Sequence, residues 1–141
     1  MGHDVLIVGG GIAGLATALS LHAEGIDVAV RESVPEIQPL GVGINLLPHA
    51  VRELDALGVF DELESVGIAS TTLAYFSARG QLIWEESRGR AAGYQWPQLS
   101  LHRGTLQMVL HLTAVERLGA DRVVPGPVSY THLTLPTIGY V

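Results

Sequence analysis

Six residues near the start of the chain, Gly9-Gly10-Gly11-Ile12-Ala13-Gly14, constrain its fold more than any other feature. They follow a short unbroken apolar run, Asp4-Val-Leu-Ile-Val8, and open a segment in which Ile12, Leu15, Ala16, Leu19 and Ala23 recur at helical spacing. Such a run marks a parallel strand buried on both faces. The helical period lasts to Glu24, and Gly25 supplies a natural C′ stop. A second apolar run, Asp27-Val-Ala-Val-Arg31, ends at Glu32. Strand, glycine turn, helix and strand within roughly 30 residues make a βαβ unit, whose crossover is almost always right-handed. The expected class is α/β.

The spacing G-x-G-x-x-G at this place points to a dinucleotide. Gly9 permits the tight turn, Gly11 lets a pyrophosphate approach the backbone without a Cβ in the way, and Gly14 lets helix pack closely on strand. The free N–H groups of the first helical turn, which Ile12 and Ala13 open, favour that anion together with the helix dipole. Glu32, about 20 residues further on, is placed to accept hydrogen bonds from a ribose 2′-OH. Its charge would repel a 2′-phosphate, which argues against NADP in this site. Arg31, beside it, joins the candidate cofactor-binding set. The pattern does not say which dinucleotide is bound.

Composition narrows the partners. The 141 residues are about one domain's worth of chain, and 48% hydrophobic against 16% charged excludes intrinsic disorder. Fourteen acidic against eight basic residues give a net charge of −6, which argues against a nucleic-acid partner. Without Cys there are no disulfides, thiolate metal sites or cysteine nucleophile. Asp61, Glu62 and Glu64 read as a solvated acidic face, since no His stands at ligand spacing to them, and no metal is expected. Residues 5–21 carry no charge over nearly a membrane-spanning length. Four glycines interrupt them, however, and Asp4 precedes them where a signal peptide carries Lys or Arg. Leu6 also stands where a myristoylation signal needs Ser or Thr. A cytoplasmic protein with no membrane partner is the expectation.

Further along, residues 33–47 read as a loop rich in Pro and Gly. Pro48 suits the first turn of a helix bearing Val51, Leu54 and Leu57 and ended by Gly58. Residues 60–66 read as one or two more helical turns. Residues 71–77 and 81–85 pair as a hairpin around Ala78-Arg79-Gly80. Residues 86–98 look irregular, 99–102 like a strand, and 122–124 like another. Between them 104–118 form a helix with Leu106, Val109, Leu110 and Thr113 on one face. The uncharged, Thr-rich stretch 128–141 is a separate matter. Residues 128–137 resemble a reading-frame translation of the adaptor used in transposase-based DNA library preparation, so native sequence is expected to end near Pro127.

Two further segments carry a family resemblance. Gly41-Val-Gly-Ile-Asn45 followed by Pro48, and Leu101-His-Arg-Gly-Thr-Leu106, resemble class A flavoprotein monooxygenases of the para-hydroxybenzoate hydroxylase fold. More narrowly, Gln38-Pro-Leu-Gly-Val-Gly-Ile-Asn45, Pro97-Gln98 and His102-Arg-Gly-Thr-Leu-Gln-Met108 are similar to the 5-methylphenazine-1-carboxylate 1-monooxygenase branch. The similarity covers nearly all of residues 4–124. It implies an incomplete Rossmann-like FAD-binding domain of the glutathione-reductase type (1–70 and 99–127), with the start of a β-rich substrate domain at 71–98.

The resemblance also implies roles. Gly9, Gly11 and Gly14 would hold the FAD pyrophosphate, and Glu32 the adenosine ribose. Gly43 and Ile44 would lie against the flavin ring. Arg103 would face the ribityl–pyrophosphate part, where a fixed fork of donors suits phosphate oxygens. Gln107, one turn on, is placed to reach the ribityl chain. The implied activity is hydroxylation of a small aromatic substrate with NAD(P)H and O2. The hard chemistry there belongs to the cofactor and the protein supplies orientation, so no side chain is assigned as acid, base or nucleophile. An NAD-binding dehydrogenase or a non-catalytic dinucleotide-binding module remains the alternative. His49 and His102 read as surface or capping residues, and Trp84 and Trp96 as core more than pocket lining. The family's later Gly-Asp and Asp-Gly motifs do not occur before Pro127. A doubly wound domain needs both halves of its sheet, so the chain alone is expected to fold poorly, retain little FAD and be inactive. Whichever dinucleotide is bound, Gly11→Val should abolish its retention, read from cofactor absorbance in the purified full-length protein.

Overall fold

The structure, a computed structural model, describes residues 4–126, and the 128–141 tail lies outside the described residues. β1 (Val5–Val8), α1 (Ile12–Ala23) and β2 (Val28–Glu32) form the expected βαβ unit. β1 and β2 pair in parallel from Val5 opposite Val28 to Val8 opposite Arg31. β8 (Val123–Pro125) lies parallel on the other side of β2, with Val30 opposite Val123. β2 is thus central, and Val28, Ala29 and Val30 are buried. β1 corrects the reading of its apolar run as covered on both faces: Leu6 is 45% and Val8 59% exposed. The described sheet runs β1-β2-β8, so β1 is its edge, and only Val5 and Ile7 turn toward the core.

A second, antiparallel sheet runs β3 (Gly43–Leu46), β7 (Gln98–His102), β4 (Ile68–Ser70). β3 lies inside the stretch expected to be a loop. Its partner is far away in sequence (Gly43 opposite His102, Leu46 opposite Leu99), so no local pattern announces it. The four residues Gly-Ile-Asn-Leu also include two poor strand formers. A polar row crosses this sheet: Ser100 Oγ lies 2.6 Å from Asn45 Oδ1, to which it donates, and 3.0 Å from Ser70 Oγ.

α2 (Pro48–Ala56) begins with Pro at its first turn and buries Val51 and Leu54; α3 (Phe60–Val66) buries Phe60 and Leu63. α4 (Arg103–Leu118) buries Leu106, Val109, Leu110 and Thr113, the stripe read from sequence. Arg117 Nη1 donates to Leu57 O at 2.7 Å, fastening the end of α4 to the end of α2. One core joins α1, α4, β2 and β7 through Leu15, Leu19, Val28, Val30, Leu99, Leu106 and Leu110.

The hairpin of β5 (Thr72–Phe76) and β6 (Leu82–Ser87) forms where expected, with Gly80 at φ +77° in its turn. β6 runs past the predicted end, and a 3₁₀ turn at Gly89–Ala92 follows in the stretch expected to be irregular. Trp84 is not core. It is 45% exposed and leans on Tyr75 across the hairpin, ring centroids 5.8 Å apart. Trp96 packs against the core, and its Nε1 donates to Asp55 Oδ2 at 2.9 Å. Truncating fully buried Leu110 to Ala should cost about 2–5 kcal/mol in a urea titration. Truncating exposed Leu112 two residues later should stay within about 0.5 kcal/mol.

Candidate functional site

The glycines of the first turn are there for different reasons. Gly9 has φ +115°, which L side chains rarely adopt, and its N–H donates to Arg31 O at 2.8 Å. Gly14 faces the outgoing strand so closely that a Cβ on it would lie 2.0 Å from Gly9 O. Gly11 has neither constraint. Its backbone is ordinary extended chain (φ −77°, ψ 176°), and a Cβ there would meet nothing within 4 Å. No contact among the described residues demands glycine at 11; a ligand lying flat on that backbone would. Gly11 is the N-cap of α1 and supplies no side-chain cap, so the first N–H groups of the helix, at Ile12 and Ala13, face outward for an anion.

Glu32 ends β2 at the mouth of this turn. Its Oε2 accepts Gly10 N–H at 2.6 Å, while Oε1 accepts Val34 N–H at 2.9 Å and Ser33 Oγ–H at 3.0 Å. The Val34 N–H chiefly holds its carboxyl below the ordinary value of 4.5, against partial desolvation and with help from Gly10 and Ser33.

Gly11, Glu32, Arg103 and Gln107 line one cleft of about 300 Å³, walled by Ile37 and Leu40 from the 33–42 loop. Four residues spread over 96 positions of sequence therefore line one cleft. Arg103 opens α4, its N–H donating to Val42 O at 2.9 Å and its side chain lying over Gly41. Gln107 does something the sequence did not announce: its Nε2 donates to Gly10 O at 3.0 Å.

The other candidates lie elsewhere. Gly43 and Ile44 line a neighbouring recess with Asn45 and His102. Like Gly11, Gly43 has open space where a Cβ would stand. Arg31 is turned toward β8, Nη1 donating to Val30 O at 3.1 Å and Arg122 O at 3.3 Å. Ile12 directs its side chain to the α1–α2 groove and Ala13 is exposed, so both offer the cleft backbone only. His102 is exposed, with Nε2 3.0 Å from Gly41 O, and His49 is exposed. Glu64 pairs with Arg90 at 2.9 Å. Among the described residues there is no metal-binding cluster, and no helix is long and apolar enough to cross a membrane.

Sequence reasoning missed Ile37 and Gly104. Ile37 is buried under the cleft, and an isolated apolar residue between Glu36 and Gln38 was its only signal. A Cβ on Gly104 would lie 2.3 Å from Pro39 C, so its absence lets α4 press onto the loop.

The FAD binding domain family matches residues 2–123, and the chain belongs to that family. It is 52% identical over 124 residues to the phenazine 1,6-dicarboxylic acid hydroxylase PhzS of Lysobacter antibioticus, covering 87% of this chain and 30% of that protein. Among solved structures it resembles p-nitrophenol 4-monooxygenase PnpA of Pseudomonas putida DLL-E4 (TM-score 0.74, 26% identity, 87% of this chain and 31% of that one). It also resembles Klebsiella pneumoniae HpxO complexed with FAD and uric acid (TM-score 0.68, 28% identity, 86% and 30%). The chain thus spans about 30% of the length of the relatives it matches.

A depressed carboxyl favours the fold above the ordinary glutamate value and ceases to as pH falls from 4.5 through the lowered folded value. Glu32→Gln should therefore flatten the acid limb of a pH–stability curve in that window and leave the curve's shape near neutrality unchanged. Gly14→Ala should destabilise at every pH, because its Cβ meets backbone.

Proposed function

We propose that this chain is the N-terminal FAD-binding portion of a flavin-dependent monooxygenase that hydroxylates a small aromatic substrate with NAD(P)H and O2. The observation that carries the reading is Gly11, a glycine with open space above it at the mouth of an uncapped helix, facing Glu32 across one cleft. The residues fit the cofactor. Backbone N–H groups at Gly11, Ile12 and Ala13 suit the diphosphate, and Arg103 is the one cation among the described residues that line the cleft. Glu32, an acceptor kept ionised by its neighbours, suits the ribose hydroxyls. Gly43, which bears no side chain, and Ile44 beside it at the next recess suit the flat ring system.

Bound FAD would supply the redox chemistry; these residues would bind and orient it, and none of them is assigned a proton transfer. The Lysobacter relative's name makes a fused aromatic carboxylate the favoured substrate class. Residues 71–98, largely a hairpin standing outside the main core, are proposed as the start of the substrate-binding part. The test is direct. Full-length protein carrying this chain should be yellow, and an aromatic carboxylate should stimulate its NAD(P)H oxidation and O2 uptake. A colourless protein that retains NAD would overturn the reading.

A further inference from the structure

Two long-range hydrogen bonds converge on Gly10. Its N–H donates to Glu32, 22 residues away, and its carbonyl accepts from Gln107, 97 residues away. The nitrogen belongs to the peptide joining residues 9 and 10, the oxygen to the peptide joining 10 and 11. Both peptide planes flanking Gly10 are therefore tied, one to the end of β2 and the other to the first turns of α4.

The second tie matters for an anion. In a planar trans peptide C=O and N–H point to opposite sides, so holding Gly10 O sets the direction of Gly11 N–H. That N–H stands at the mouth of the uncapped helix. Three successive glycines would otherwise leave the turn free to sample other conformations. α4 reaches the turn because Gly104 lets its start settle on Pro39. Arg103 and Gln107, four residues apart, then share one helix face toward the cleft.

We infer that Gln107 is a positioning residue for the diphosphate: its amide holds the glycine turn in the anion-accepting shape, instead of serving the ribityl chain. The inference rests on the FAD reading and makes a distinction that reading does not. A ribityl contact affects only ligands that carry a ribityl chain. A clamp on Gly10 affects every ligand with an adenosine diphosphate half, flavin or not.

Calorimetric titration of the flavin-free, full-length protein with FAD and with ADP separates the two. Gln107→Met keeps length and helix propensity and removes the donor; Gln107→Glu keeps shape and sets a carboxylate oxygen against Gly10 O. Both variants should weaken FAD and ADP by the same factor, about tenfold for one lost hydrogen bond. Without any ligand, amide hydrogen exchange across residues 10–14 should be faster in both, with exchange elsewhere in α1 and α4 unchanged as the control for folding. Weakened FAD with unchanged ADP assigns Gln107 to the ribityl chain and overturns the inference. So do unchanged affinities for both ligands, or unchanged exchange in the turn. If wild-type protein binds neither ligand, the FAD reading falls, while the exchange measurement still decides whether Gln107 holds the turn.

Discussion

The closest approach at the site is between Gly14 on α1 and the carbonyl of Gly9, where a single added carbon would sit 2.0 Å from the oxygen. Everything else at the cleft follows from that proximity. Because α1 starts hard against the end of β1, its first N–H groups open beside the end of β2, where Glu32 stands. A bulkier residue at 14 would push the helix outward and take those N–H groups away from the carboxylate. The parallel register of β1 and β2 works to the same end: Val8 opposite Arg31 puts the strand ends level, so turn and acid meet without a long connecting loop.

α4 closes this arrangement from outside the βαβ unit. Its first residue follows β7 without a break, and β7 is pinned on both sides by β3 and β4. The antiparallel sheet therefore decides where Arg103 and Gln107 arrive. The 33–42 loop is caught between the two halves, with Ile37 buried beneath Gly10 and Pro39 under Gly104. The cleft is thus a product of tertiary packing. Its walls come from residues 10–40 and from α4, and neither segment contains a site by itself.

What was legible in the sequence was the part governed by local rules. The glycine turn, the stop at Gly25, Pro48 at a helix start and the apolar stripe of α4 each follow from neighbours within a turn or two, and each stands where expected. β3 and β4 escaped because their reason for existing is β7, dozens of residues away, and four-residue or three-residue strands leave little periodicity to read. The apolar run of β1 misled in the opposite direction. Val-Leu-Ile-Val says that a strand can be covered on both faces, and the described sheet covers one. The hydrogen bond from Gln107 to Gly10 O was not legible either, since a glutamine pattern cannot name a carbonyl 97 residues back.

Net charge raises an apparent objection to a diphosphate ligand, for the chain carries −6. Distance answers it. At physiological salt exposed charges are screened over about 8 Å, so the total matters less than what lies within the cleft. There two carboxylates, Glu32 and the solvent-exposed Glu36, share the lining with Arg103 and the backbone of Gly11. Glu32 is already engaged by three donors, which compensate much of its charge locally. The helix start and Arg103 stand where the phosphates would lie. The acidic surface elsewhere (Asp61 and Glu62 on α3, Glu85 on β6) is exposed and belongs to elements that contribute nothing to the cleft walls. An overall anionic protein can thus hold an anionic cofactor, because backbone dipoles and one guanidinium act at contact distance while Glu32 is compensated by its own donors and Glu36, the other acid of the cleft, is exposed to water.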